Sequence, residues 1–283
     1  MLAAGAPDWT PSGRGAPRLL RGPVVALCVL AALTAVAVLG KSVAPYDPEQ
    51  VSELVFQPPS RPHVFGTNDL GQDIFSQVIA GARLSLLVGV SVAALSTALA
   101  WGAGLFGGFS PHGDLLIAAS DLLLAIPTLP LLVLLAAYVG PGLPGVIAAM
   151  GALSWPAFAR VVRTQVLSTR EREYVAAALA AGARPVRIAV RHILPETVPI
   201  MVTKFVLTMR WAIVIDANLA FLGLSDPGAV SWGNMLNHAF RDPLLFTRPA
   251  WVWSAGPPAA AILIVVLSLA SAAQVLAQPT RSV

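Results

Sequence analysis

Four ionisable side chains lie inside apolar stretches of this chain: Asp121 within Leu115–Val139, and Lys204, Arg210 and Asp216 within Val198–Leu224. A charged group near the centre of a bilayer costs about 2.5 to 3.5 kcal/mol on insertion scales, so it usually faces a bundle interior, water or a partner. Two chemistries are open to these four. Asp121 and Asp216 could be the facing carboxylates of an intramembrane hydrolase, or Lys204, Arg210 and Asp216 could form a polar wall that meets a charged solute. The structural alternative is equally direct: Lys204 and Asp216 sit near opposite interfaces, Asp121 and Asp216 are paired internally, and Arg210 alone is deep, paired with a carbonyl or with another subunit. No Ser-His-Asp order and no HExxH helix is present. His63, His112, His192 and His238 are dispersed, without the clustered spacing of a metal site. The stretch Ala35–Ser42 (AVAVLGKS) falls one residue short of a Walker A loop, with alanine at the first glycine and no strand before it; Lys41 is better suited to snorkelling toward the interface.

Such residues need long apolar elements to hold them. The chain has 283 residues, 56% hydrophobic and 11% charged, with a mean hydropathy of +0.74, which excludes an ordinary soluble domain. Six spans of about 20 residues or more are expected: 23–43, Leu84–Phe109, Leu115–Val139, Leu143–Val162, Val198–Leu224 and Trp251–Leu276. Pro127 and Pro130 free backbone groups in the third, so that helix packs among others. Residues 1–22 form a basic tail with Arg14, Arg18 and Arg21, and the apolar segment after it is too long for a cleaved leader. Arginines gather in that tail and between spans four and five, while residues 44–81 are acidic and turn-rich. The bias places both termini and the 163–197 segment in the cytoplasm, and 44–81 and 225–250 outside. The formal charge of +4 is therefore topological, with no nucleic-acid partner implied. The lone Cys28 permits no internal disulfide.

Between spans four and five lies a polar island, Glu173–Pro195, EYVAAALAAGARPVRIAVRHILP. Ala176–Ala181 favour a helix that Gly182 ends, because glycine tolerates a left-handed backbone. A second short helix begins at Pro185 and is expected to end near Pro195. Small side chains leave the first helix open to close approach, and flanking arginines such as Arg184 and Arg187 suit acidic or phosphate-bearing groups. A docking element and an interfacial helix lying on anionic lipid both fit.

The island resembles the Glu-Ala-Ala loop of ATP-binding-cassette importer permeases, with Ala177, Ala178, Gly182, Leu194 and Pro195 at the matching positions. The glutamate of that triplet is replaced by Ala176, and Glu173 stands one helical turn earlier. The stretches HVFGTNDLGQDIFSQVIAGARLSLLVG (63–89), DLLLAIP (121–127), WPAFARVVR (155–163), DANLAFLGL (216–224) and SWGNML (231–236) follow in the order of the second permease of dipeptide, oligopeptide and nickel importers. Asn68, Gln72 and Gln77 stand where acid or arginine is usual. The end, SAAQVLAQPTRSV, departs from that group's charged finish.

The resemblance implies an all-α polytopic membrane protein of the type I ABC importer permease fold, with 82–277 as the core, 163–197 as the coupling loop and 278–283 as a final cytoplasmic tail. It implies a homologous second permease, two ABC ATPase subunits and an external substrate-binding protein as partners, besides membrane lipid. ATP and magnesium would belong to the partner ATPases, with no cofactor in this chain. Di- or oligopeptides are the first expectation for cargo and nickel or a metal chelate the second. The competing classes separate by behaviour: an ion-gradient transporter takes up cargo alone without ATP, and an intramembrane enzyme turns over substrate alone.

Overall fold

A computed structural model of the chain describes residues 43–276 apart from 141, 244 and 248, together with 31, 34, 35, 39 and 40. The expected tails at 1–22 and 278–283 lie outside the described residues, as does most of the expected first span at 23–43. What is described is helical, with one isolated bridge between Thr67 and Asp73 and no strand.

The architecture is built around α1, Ile74–Phe109, whose 36 residues extend about 54 Å and exceed the hydrocarbon thickness of a bilayer. It begins ten residues before the expected second span. The cause is a cap: Asp73 Oδ2 accepts from the Ser76 backbone N–H at 2.8 Å and from Ser76 Oγ at 2.7 Å. At its other end two arginines donate to the last carbonyls, Arg163 Nε to Gly107 O at 2.9 Å and Arg170 to Gly108 O at 2.5 Å. Cations there suit both the orphan carbonyls and the helix dipole.

The expected third span is broken. Helices α2 (Gly113–Leu124) and α3 (Thr128–Val139) meet at 83° across residues that include Pro127. Proline disfavours a helical residue before it and supplies no N–H, so the break falls there. The fourth is α4 (Leu143–Ser154) followed by α5 (Pro156–Arg170), bent by 44° at Trp155 and Pro156.

The island contains α6 (Glu173–Ala180), a turn at Gly182 with φ +81°, and α7 (Pro185–Ile188). The expected stop near Pro195 is not observed. A π turn at Ala189–Ile193 leads straight into α8 (Leu194–Phe221), so Val186–Phe221 runs as one element. Leu194 N–H reaches back to Ala189 O, one residue further than in an α-helix, and Pro195 sits in the first turn of α8, where no N–H is needed. The remaining helices are α9 (Trp232–Arg241), α10 (Ala250–Ser254) and α11 (Gly256–Leu276).

Among the described residues three helices are long and apolar enough to cross a membrane, and five if each bent pair counts as one. Their apolar surface is far from covered within the chain. The most apolar window of the Val186–Phe221 element is only 28% buried, and Leu115, Leu122, Leu134 and Leu263 are exposed. A multi-pass membrane protein leaves that surface to lipid or another subunit.

Three apolar clusters follow one another along α1. Ile74, Leu86, Ile213, Trp232 and Val265 join α1, α8, α9 and α11. Val88, Val92, Leu132, Met150 and Leu219 join α1, α3, α4 and α8. Val162, Val166, Val175, Ile188 and Ile193 join α5 to the island. The α1–α5 contact depends on two small residues one turn apart, Gly104 and Gly108, which face Val162 and Val166. A Cβ at Gly104 would clash with Val162 and lie 2.8 Å from the Ala159 carbonyl oxygen, whereas Gly102 on the same helix has open space around it.

Gly104→Leu should therefore destabilise the protein by at least about 1–3 kcal/mol, the usual cost of overpacking, while Gly102→Leu stays near neutral. Thermal unfolding of the two variants in the same detergent compares them directly. Equal melting temperatures would contradict the close α1–α5 contact.

Candidate functional site: the coupling island and the charges of α8

The island is anchored on one face and bare on the other. Val175, Ile188 and Ile193 are buried against Val162, Val166 and Met201. Ala176, Ala177, Arg184 and Arg187 are exposed, as are Val186, Val190 and Arg191, which with Gly182 line an open concavity. Glu173 is exposed in the first turn of α6, where a carboxylate suits the helix dipole. Leu194 is partly buried and Pro195 exposed in the first turn of α8. Ala178 is partly buried, at the edge between the two faces. Nothing crowds Gly182, so glycine is required there for its backbone conformation.

One residue ties the island to the helix beyond it. The Glu196 carboxylate, in the first turn of α8, accepts hydrogen bonds from Tyr174 Oη at 2.6 Å, Thr169 Oγ1 at 3.0 Å and Arg172 Nη1 at 3.1 Å. The end of α5 and the start of α6 thereby converge on the start of α8. The bond to Glu196 raises the pKa of the Tyr174 phenol above its ordinary value. Tyr174 also stacks, tilted, on His192 with ring centroids 5.6 Å apart. Glu196 escaped the sequence reading because an acid in a first turn is ordinary for any helix, and its three donors lie 22 to 27 residues away.

The four membrane-depth charges occupy different surroundings. Lys204 is 0% exposed. Its ammonium donates to Ser96 Oγ at 2.8 Å, Thr208 Oγ1 at 3.1 Å and the Ser154 carbonyl at 3.3 Å, and it lies 4.5 Å from the centre of the Phe158 ring. Thus all three N–H groups are used and an aromatic face adds to the solvation. The Ser154 carbonyl is available because α4 stops at the bend, leaving its last carbonyls without intrahelical donors.

Asp121 forms an ion pair with Arg160, joining α2 to α5, and Asp114 does the same with Arg163. Arg210 is partly buried and makes no hydrogen bond or ion pair with the described residues. Asp216 is 7% exposed and likewise has no partner among them, although it lines a small cavity on the side of the 225–234 segment. Asp121 and Asp216 are not assembled into a carboxylate pair: Asp121 is engaged by Arg160, and the cavity at Asp216 is lined without it. The described residues contain no group of three or more His, Cys, Asp or Glu that could hold a metal ion.

At the opposite end from the arginines, Asn68, Gln72 and Gln77 bond to one another. Asn68 Nδ2 donates to Gln72 Oε1 at 2.9 Å and Gln77 Nε2 to the same oxygen at 2.7 Å. With Gln72 Nε2 on Glu49 O and Gln77 Nε2 on Pro48 O, both 3.2 Å, the amides hold the 44–73 segment against the start of α1. Neutral amides satisfy each other there without counterions.

Residues 96–280 match the family model of binding-protein-dependent transport system inner membrane components. A putative peptide permease protein of Brucella suis biovar 1 (strain 1330) is 35% identical over 268 residues, covering 92% of this chain and 87% of that protein. A di/tripeptide transport system permease protein of Pseudomonas aeruginosa (strain UCBPP-PA14) is 36% identical over 259 residues, covering 88% and 84%. The helical fold, the uncovered apolar surface and these matches agree: the chain belongs to the family of binding-protein-dependent inner membrane permeases, the membrane subunits of ATP-binding-cassette importers.

Proposed function

We propose that this chain is one of two permeases in an ATP-driven importer of di- or oligopeptides, and that its island receives the motion of a cytoplasmic ATPase. The peptide cargo is supported by the relatives' names, a putative peptide permease and a di/tripeptide permease. The observation that carries the coupling reading is the two-sidedness of Glu173–Pro195. Its small-residue face is open, while its other face is packed and bonded into α5 and α8. A partner that grips Ala176 and Ala177 and pushes on α6 moves the Glu196 cluster and the root of α8 with it. With alanine at 176, the grip comes from close contact along α6 and from Arg184 and Arg187, with Glu173 as the nearest acid.

The rest of the assembly follows from the same reading: a homologous second permease, two ATPases that hold ATP and magnesium, and an external binding protein that delivers cargo. Arg210, free of any partner among the described residues, faces the path or the second permease. Lys204 is a packing cation in this reading and does not meet cargo, since its three donors are already used. The segments 82–277 and 163–197 act as core and coupling loop, and 1–22 and 278–283 stay on the ATPase side.

Reconstituted importer, with its ATPases and binding protein, tests these roles in one assay of peptide uptake and ATP hydrolysis. Gly182→Leu places a branched residue at φ +81°, a strained conformation costing about 1–3 kcal/mol, and should reduce uptake at least tenfold while the subunit still inserts. Glu196→Gln should lower the uptake obtained per ATP severalfold, with hydrolysis retained. Arg210→Gln should reduce uptake and leave thermal stability within about 0.5 kcal/mol, because no hydrogen bond or ion pair with the described residues is lost. Wild-type coupling in both island variants would refute the coupling role.

A further inference from the structure

A cavity of about 150 Å³ lies where α1, α4 and α8 meet the segment that follows α8. Its polar lining comes from Asp216, Ser225, Asp226, Ser231 and Asn234, and no Lys, Arg or His is among its lining residues. The lining is rich in acceptors and poor in donors. Asp216 is 7% exposed and has no hydrogen bond or ion pair from the described residues. Ser225 Oγ is buried and also without a partner. Both Asn234 amide hydrogens are spent, on the Asp226 and Ala229 carbonyls at 2.7 Å each, so what the amide has left to offer is its oxygen.

A buried carboxylate without a counter-charge is costly at membrane depth. The same oxygens become favourable once a small cation stands among them, since hard cations take carboxylate, carbonyl, hydroxyl and water oxygens together. The volume accommodates such an ion with several waters and falls below the usual range of pockets for organic ligands, about 300–1,000 Å³. An approach exists from the acidic end of the molecule. A polar cleft of about 260 Å³ shares Ala229, Ser231 and Asn234 with the cavity, and Glu49, Gln72 and His238 line its outer part.

We propose that this cavity is a binding site for an inorganic cation held by Asp216, Ser225 and Asn234, distinct from the peptide path and from the ATPase. The ion ties the segment after α8 to α8 itself. Two carboxylates line the site; Asp226 is exposed and its charge is solvated, whereas Asp216 is buried, so Asp216 carries the charge that most favours a cation.

The test uses the full chain in lipid nanodiscs, with thermal unfolding followed at matched ionic strength in chlorides of sodium, potassium, magnesium, calcium and N-methylglucamine. A ligand that binds only the folded state raises the melting temperature in a saturable way. At least one inorganic cation should do so relative to N-methylglucamine. Asp216→Asn should remove that response and melt higher than the wild type in N-methylglucamine, because the unpaired charge is gone. Ser225→Ala should shift the midpoint of the response severalfold toward higher cation concentration, and it decides the matter if Asp216→Asn does not fold. The proposal is overturned if none of the four cations gives a saturable rise, if Asp216→Asn keeps the wild-type response, or if Ser225→Ala leaves the midpoint unchanged.

Discussion

The ammonium of Lys204 is the point on which the helices of this subunit converge. It is fully buried with no carboxylate beside it among the described residues, and its solvation there comes from neutral groups: two hydroxyls, one carbonyl and the face of Phe158. Those groups belong to α1, to the α4–α5 bend, to α5 and to α8. Each element is needed where it is, because a missing acceptor would leave a positive charge unsatisfied in a medium where that is expensive. The bend at Pro156 exposes a carbonyl, and the lysine needs one. Apolar packing alone would allow these helices to slide past one another, since lipid competes equally for apolar side chains; the lysine makes one arrangement better than its neighbours.

Basic residues have a second structural use at the far end of α1. Arginine enrichment between spans four and five is a topology signal by composition, yet Arg163 and Arg170 also close the carbonyl end of α1, and Arg160 and Arg163 hold α2 through Asp121 and Asp114. These charges sit within a turn or two of the Gly104–Gly108 notch. Arginines of the kind that bias topology thus fasten the α1–α5 pair here.

How far the sequence could be read depended on whether a feature is local. Apolar length is local, and the long helices of the second, fifth and sixth spans were legible from it. So was the island's turn at Gly182, where a small-residue helix meets a residue that accepts positive φ. Bends were visible only as prolines: Pro127 breaks its span through 83°, whereas Pro195 starts α8 and Pro199 lies inside it, and nothing in the residue type separates these outcomes. The difference arises from the backbone turn before Pro195, which moves the hydrogen-bond register before the proline is reached. Side-chain partnerships across distance were illegible. Lys204 finds Ser96 across 108 residues and Glu196 finds Tyr174 across 22, and such pairs follow only from the packing of whole helices. The gap is widest at the candidate site, where Asp121 and Arg210 look alike in sequence yet among the described residues one is ion-paired and the other is not.

The π turn at Ala189–Ile193 has a consequence for how the chain tolerates change. It winds one extra residue into an otherwise continuous helix, and one residue corresponds to about 100° of rotation. The face that the island half turns outward and the face that α8 turns inward are therefore phased independently. Deleting a single residue there would restore ordinary winding, keep the helix unbroken and leave Arg187 at nearly the same angle to Lys204, whereas ordinary winding of all the present residues would turn Arg187 by about 100°. The π turn thus lets this stretch carry one more or one fewer residue with little change in the angular setting between the two halves.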